Sequence, residues 1–159
     1  MMKITVIAMS SLKEKYLKDA AAEYIKRLKA YCDITVTEIE PERLPDRPSK
    51  AEADAALERE AAQIIKRIPP SAAVVPLCIE GKELSSEQLA EYIDKNQSSG
   101  RPLVFIIGSS YGLSEKVKRL SDIRLSFSKL TFPHQLFRIM LLEQLYRAFR
   151  INGGRAYHK

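Results

Sequence analysis

FIIGSSYGL, Phe105 to Leu113, and LSFSKLTFPHQLFRIMLLEQLYRAF, Leu125 to Phe149, are the stretches on which the fold turns. The first is an apolar strand running into a glycine loop. The second is a short strand, a polar loop at Ser128-Lys129-Leu130-Thr131, and a helix opened by Pro133. Proline fits a first helical position because its missing N–H would have no partner there. Parallel sheets bind ligands beyond the carboxyl ends of their strands. Two such loops side by side therefore make a pocket for a nucleotide-like ligand.

Outward from these stretches the chain alternates strand and helix. Ile4 to Met9 is a nearly continuous apolar run, as expected of a strand buried on both faces. Leu12, Tyr16, Leu17, Ala20, Tyr24, Ile25 and Leu28 follow at helical spacing. Asp33 to Ile39 reads as the second strand, and the proline-rich segment Pro41 to Pro48 is neither helix nor central strand. Ser49 with Glu52 has the capping-box spacing that opens a helix reaching about Arg67. Ala72 to Ile79 is a third strand, ending where Gly81 permits a tight bend. Ser85 with Gln88 caps a short helix, Leu103 to Ile107 is the fourth strand, Ser114 caps another helix, and Ile123 to Phe127 is the fifth strand. This pattern predicts an α/β domain with a mainly parallel sheet flanked by helices.

At 159 residues the chain is one domain. Its 45% hydrophobic and 29% charged residues describe a globular protein rather than a disordered one. The 26 Lys and Arg against 20 acidic residues give a net charge of +6, which favours polyanionic partners without identifying one. Cys32 and Cys78 stand far apart among apolar neighbours and read as reduced core residues, which suits a cytoplasmic location. The N-terminal apolar run is too short for a signal peptide, and no segment approaches the ~20 apolar residues of a membrane helix.

Taken singly, each motif leaves alternatives. Gly108-Ser109-Ser110-Tyr111-Gly112 is neither GxGxxG nor a P-loop, and it serves an ordinary turn as well as close backbone approach to a ligand. The Ser128–Thr131 loop offers main-chain amides and carbonyls to a purine edge, or simply connects strand to helix. In the last helix Phe137, Leu141, Leu142, Leu145, Ala148 and Phe149 form a core face. Leu136, Ile139 and Met140 cover the other side, which predicts a homodimer surface. Glu143 and Arg147 have ion-pair spacing, by default at the surface. His134 and His158 lack partners at metal-ligand spacing, so no metal site is expected. His134 reads as a capping or packing residue. The tail after Gly153-Gly154 carries Arg155, Tyr157, His158 and Lys159, suited either to fraying or to phosphate contact and base stacking.

In combination the residues resemble a known family. The succession IIG..YGL, LSFSKLTFPHQLFR, EQLYRAFRI and terminal YHK, with MKITVIA, LKEKYLKDAAAEYIKRL and LCIEGKELSSEQLA before it, resembles the ribosomal RNA large subunit methyltransferase H family of SPOUT methyltransferases over nearly the full length. The resemblance implies a homodimer with an α/β fold knotted as a C-terminal trefoil, and S-adenosylmethionine bound in the knot. It implies methylation of N3 of a pseudouridine in 23S rRNA of the assembled ribosome. Carried onto matching positions, the cofactor contacts are Leu77, Gly108, Phe127, Ser128, Lys129, Leu130, Thr131 and Phe132. Glu143, Arg147, Tyr157 and His158 match positions near the target nucleotide. Glu143, Arg147 and His158 are the candidate catalytic residues; Arg155, Tyr157, His158 and Lys159 are the candidate RNA contacts.

The chain departs from the family pattern at three places. Ser109 stands where a second glycine is usual, Met9-Ser10 where a glycine-lysine pair is usual, and Ala156 where proline is usual. A left-handed backbone at position 109 would cost serine about 1–2 kcal/mol. An alternative follows: a non-catalytic RNA- or ribosome-binding dimer with weakened cofactor binding. A flavodoxin-like nucleotide or flavin binder explains the alternating strands and helices but not the tail.

Overall fold

The computed structural model describes residues 1–154. Its elements run β1 (Lys3–Ala8), α1 (Lys15–Leu28), β2 (Asp33–Glu38), α2 (Lys50–Lys66), β3 (Ala73–Glu83), α3 (Ser86–Ser98), β4 (Leu103–Ile107), α4 (Glu115–Arg119), β5 (Leu125–Ser126) and α5 (His134–Asn152). The five strands lie in the order β2-β1-β4-β3-β5, every pair parallel. Strand alternation builds two cores. Ile4 and Val6 of β1 join Leu103 and Phe105 of β4 beneath α1, α3 and α5, whereas Ile7, Val104 and Ile106 face Ala61 and Ile64 of α2 and Val117 of α4. All five residues of β4 are buried, which accounts for its unbroken apolar run.

The caps form as their spacing requires. Ser49 accepts from the Glu52 amide while Glu52 reaches back to the Ser49 amide, both at 3.1 Å. Ser85 and Gln88 repeat the exchange at the head of α3. The Ser114 hydroxyl accepts from the Lys116 amide. Cys32 and Cys78 are free and buried. Burial, with Asp33 adding to it, pushes the Cys32 thiol up to about 12, so it is inert at neutral pH.

Three local expectations need correction. β3 does not end at Glu80-Gly81-Lys82 but continues to Glu83 after a register shift, with Leu77 and Lys82 both aligned on Leu125. Gly81 serves close packing rather than a bend, because a Cβ there would lie 2.7 Å from the carbonyl oxygen of Arg124. β5 is only two residues long. Pro133 caps α5 from the position before its first helical residue: its backbone is extended, with ψ 137, and its carbonyl accepts the first helical bond, 2.9 Å from the Phe137 amide.

Along α5, Leu141, Leu142, Leu145, Ala148 and Phe149 are buried, and Leu136 is exposed. Phe137 is only partly buried and packs against Phe127 and Phe132, with ring centroids 4.8 and 6.1 Å away. Arg138 is buried. Its guanidinium donates to the Glu38 carboxylate and to the Ser10 carbonyl, both at 2.6 Å, which fixes α5 over the carboxyl ends of β1 and β2.

Candidate functional site

A cleft of about 380 Å³ opens at the carboxyl ends of β4 and β5, beside the middle of β3. That volume falls within the range of small-molecule sites. One wall is Leu77 to Glu80 of β3, the floor is Ile107 to Leu113 after β4, and the opposite wall is Leu125 to Ser128 with Leu130, Thr131 and Phe132. Lys118, His134 and Phe137 complete the lining. Of the residues expected to hold the cofactor, Leu77, Gly108, Phe127, Ser128, Leu130, Thr131 and Phe132 thus share one cavity. Lys129 is exposed and does not line it.

The floor is a tight turn. The Gly112 amide donates to the Ser109 carbonyl at 2.9 Å, and Gly112 is left-handed, with φ +86. Gly108 is needed for space, since a Cβ there would lie 2.4 Å from the Gly112 carbonyl oxygen. The turn is therefore also the floor of the cleft. Among the described residues Ser71 is the only non-glycine at positive φ, so Ser109 carries none of the backbone cost that a left-handed conformation would impose.

Two polar pairs at the cleft had no local signal in the sequence. The Lys118 ammonium donates to the Glu80 carboxylate at 2.6 Å, joining α4 to β3. The hydrogen bond from Lys118 holds the Glu80 carboxyl below the usual carboxylate range. Burial opposes the Lys118 charge, but Glu80 outweighs it, and the ammonium is held above its ordinary value. The Ser110 hydroxyl lies 3.2 Å from Nε2 of His134, linking the glycine loop to the start of α5. His134 is thus a cleft residue as well as a packing one.

Glu143 lies elsewhere. It lines a second cleft of about 350 Å³, bounded by Leu84, Ser86, Met140 and Gln144, which shares Leu125, Ser126 and Phe127 with the first. Arg147 donates to Glu143 through Nη2 at 2.7 Å and Nε at 3.2 Å. Both side chains are about four-fifths covered, at 20% and 18% exposure, so this is not the surface pair its spacing suggested. Gln144 continues the network, donating to Glu143 at 3.0 Å and accepting from Ser86 at 2.8 Å. The remaining expected site residues, Arg155, Tyr157, His158 and Lys159, lie outside the described residues.

No group of three or more His, Cys, Asp or Glu side chains among the described residues is arranged to hold a metal ion. No helix among them is long and apolar enough to cross a membrane.

The family model "Predicted SPOUT methyltransferase" matches residues 2–158. Ribosomal RNA large subunit methyltransferase H of Carboxydothermus hydrogenoformans is 46% identical over 159 residues, that of Clostridium kluyveri 47% and that of Clostridium botulinum 48%; each alignment covers 99% of this chain and all of the relative. The crystal structure of the SpoU methyltransferase AviRb from Streptomyces viridochromogenes, in complex with AdoMet, aligns with a TM-score of 0.46 and 13% identity over 97% of this chain and 59% of that one. The chain belongs to the ribosomal RNA large subunit methyltransferase H family, within the SPOUT methyltransferases.

Proposed function

We propose that this chain is an S-adenosylmethionine-dependent methyltransferase that modifies N3 of a pseudouridine in 23S rRNA of the assembled ribosome, acting in the cytoplasm as a homodimer with a knotted C-terminal half. The observation that carries the reading is the meeting of Leu77 of β3 with Gly108, Phe127, Ser128, Leu130, Thr131 and Phe132 in one cleft at the carboxyl ends of β4 and β5. The relatives' names supply the substrate class, large-subunit rRNA.

The cleft suits the cofactor. Leu77, Phe127 and Phe132 offer apolar surface to an adenine ring, and the 128–132 backbone offers hydrogen-bonding groups for its edge. When bound, the cofactor supplies an electrophilic methyl group on its sulfonium. The chain's own work is to hold N3 of the target base in line with that methyl group and to manage the proton N3 loses. His158 accepts that proton, directly or through water, and Arg147 stabilises the negative charge left on the base. Glu143 orients Arg147 through their paired hydrogen bonds. Arg155, Tyr157 and Lys159 contact the RNA through phosphate and base stacking.

The test is mass spectrometry of the target rRNA stem-loop from cells with and without the gene. Loss of one methyl group is expected; an unchanged mass would overturn the reading. A non-catalytic ribosome-binding dimer would instead show no calorimetric binding of S-adenosylmethionine at millimolar ligand.

A further inference from the structure

Glu60 lies in the second half of α2, outside the cleft, yet it is 95% covered. A carboxylate so deeply placed requires hydrogen-bond donors to compensate for lost water. It has two. The Ser109 hydroxyl donates to Oε1 at 2.9 Å, and the Glu42 backbone amide donates to Oε2 at 3.0 Å. One carboxylate thereby joins three segments remote in sequence: the proline-rich stretch that begins at Pro41, helix α2, and the turn that floors the cleft.

The donor from the cleft side, Ser109, is itself part of the turn. Glycine at 109 would leave one oxygen of Glu60 without that partner. Ser109 is also fixed from its other side, by the bond between its carbonyl and the Gly112 amide and by the close approach of Gly108 to Gly112. A groove of about 290 Å³, lined by Glu42, Glu60, Ser109, Ser110 and Tyr111 among others, separates the proline-rich stretch from the loop.

We infer that Ser109 and Glu60 are positioning residues for the cofactor: their hydrogen bond holds the Gly108–Gly112 turn in its binding shape from the side opposite the cleft. This rests on the reading of the cleft as an S-adenosylmethionine site, but the tie to the turn is testable without the ligand. Charge-assisted bonds are the stronger class, so its loss should be measurable.

Ligand-free protein is first compared by amide hydrogen exchange as wild type, Ser109→Ala, Ser109→Gly and Ser109→Thr. Faster exchange at Gly112 is expected in the alanine and glycine variants and restoration in the threonine variant, which keeps the hydroxyl. Unchanged exchange in Ser109→Ala would overturn the inference. S-adenosylmethionine is then titrated by calorimetry. The dissociation constant should rise about tenfold in Ser109→Ala and less in Glu60→Gln, whose amide oxygen keeps the Glu42 N–H while its NH2 donates to the Ser109 hydroxyl in a weaker, uncharged bond. Turnover should show a raised KM for the cofactor with kcat and the KM for ribosomes nearly constant. Equal affinity in a wild type and Ser109→Ala that both bind would also overturn the inference, as would a fall in melting temperature with no change in affinity. If wild type binds no cofactor, the functional reading fails while the exchange result still decides the tie.

Discussion

Gly108 and Gly112 approach so closely that a Cβ on the first would lie 2.4 Å from the carbonyl oxygen of the second. The neighbour is backbone, so no side-chain rotation relieves the clash. Gly108→Ala must therefore open the turn, at a cost of about 1–3 kcal/mol typical of overpacking. We expect S-adenosylmethionine affinity to fall at least about tenfold. Calorimetric titration checks this, and an unchanged dissociation constant would remove the loop from the binding site.

The Glu80–Lys118 pair fixes a pH dependence. Glu80 is depressed in the folded state, so its contribution is present above the ordinary glutamate value of about 4.3 and is lost as pH falls through the lower folded value. Lys118 is raised, so its contribution is present below the ordinary lysine value of about 10.4 and is lost as pH rises through the higher folded value. Lys118→Met should move the NMR titration midpoint of the Glu80 carboxyl upward. The stability difference from wild type should vanish at the acid end. A midpoint that does not move would show that another group depresses Glu80.

Arg147 tests the proposed chemistry. If it stabilises charge on the target base, Arg147→Ala should lower single-turnover rate by about 10²–10³ with cofactor affinity intact. A defect confined to ribosome affinity would assign Arg147 to RNA binding instead. His158→Ala, examined by its pH–rate profile, separates the proton acceptor in the same way: unchanged chemistry removes His158 from that role.

The exposed apolar side of α5 tests the homodimer. Leu136 is 41% exposed, and Ile139 and Met140 are only partly covered within the single chain. Packing such a face against a second copy would remove its apolar area from water. Leu136→Glu should shift sedimentation equilibrium from dimer to monomer; a monomeric wild type would refute the dimer directly.

Much of this architecture could be read locally. The strand–helix alternation, both capping boxes and the two cleft loops after β4 and β5 follow from residues that are neighbours in the chain. What escaped local reading depends on distant partners. Lys118 meets Glu80 across 38 positions and Ser109 meets Glu60 across 49, and neither carries a mark of its companion. Gly81 looked like a bend because glycine permits one. Its actual reason, the carbonyl of Arg124 pressed against it, exists only after β5 has docked. Pro133 was misplaced by one position, the usual uncertainty of a helix end.

The register shift in β3 makes that strand a ruler. Leu77 before the shift and Lys82 after it both align on Leu125, and between them stand Cys78, Ile79 and Glu80, which wall the cleft. The number of residues from 77 to 82 thus sets how far Glu80 reaches toward Lys118 and where the segment leading into 127–132 begins. Deleting one residue there would displace two sides of the cavity together, whereas the proline-rich stretch beginning at Pro41 is tied to the turn indirectly, through the Glu42 amide on Glu60. Deletion scanning should therefore find the chain tolerant of length change around Leu44 and intolerant of it around Ile79.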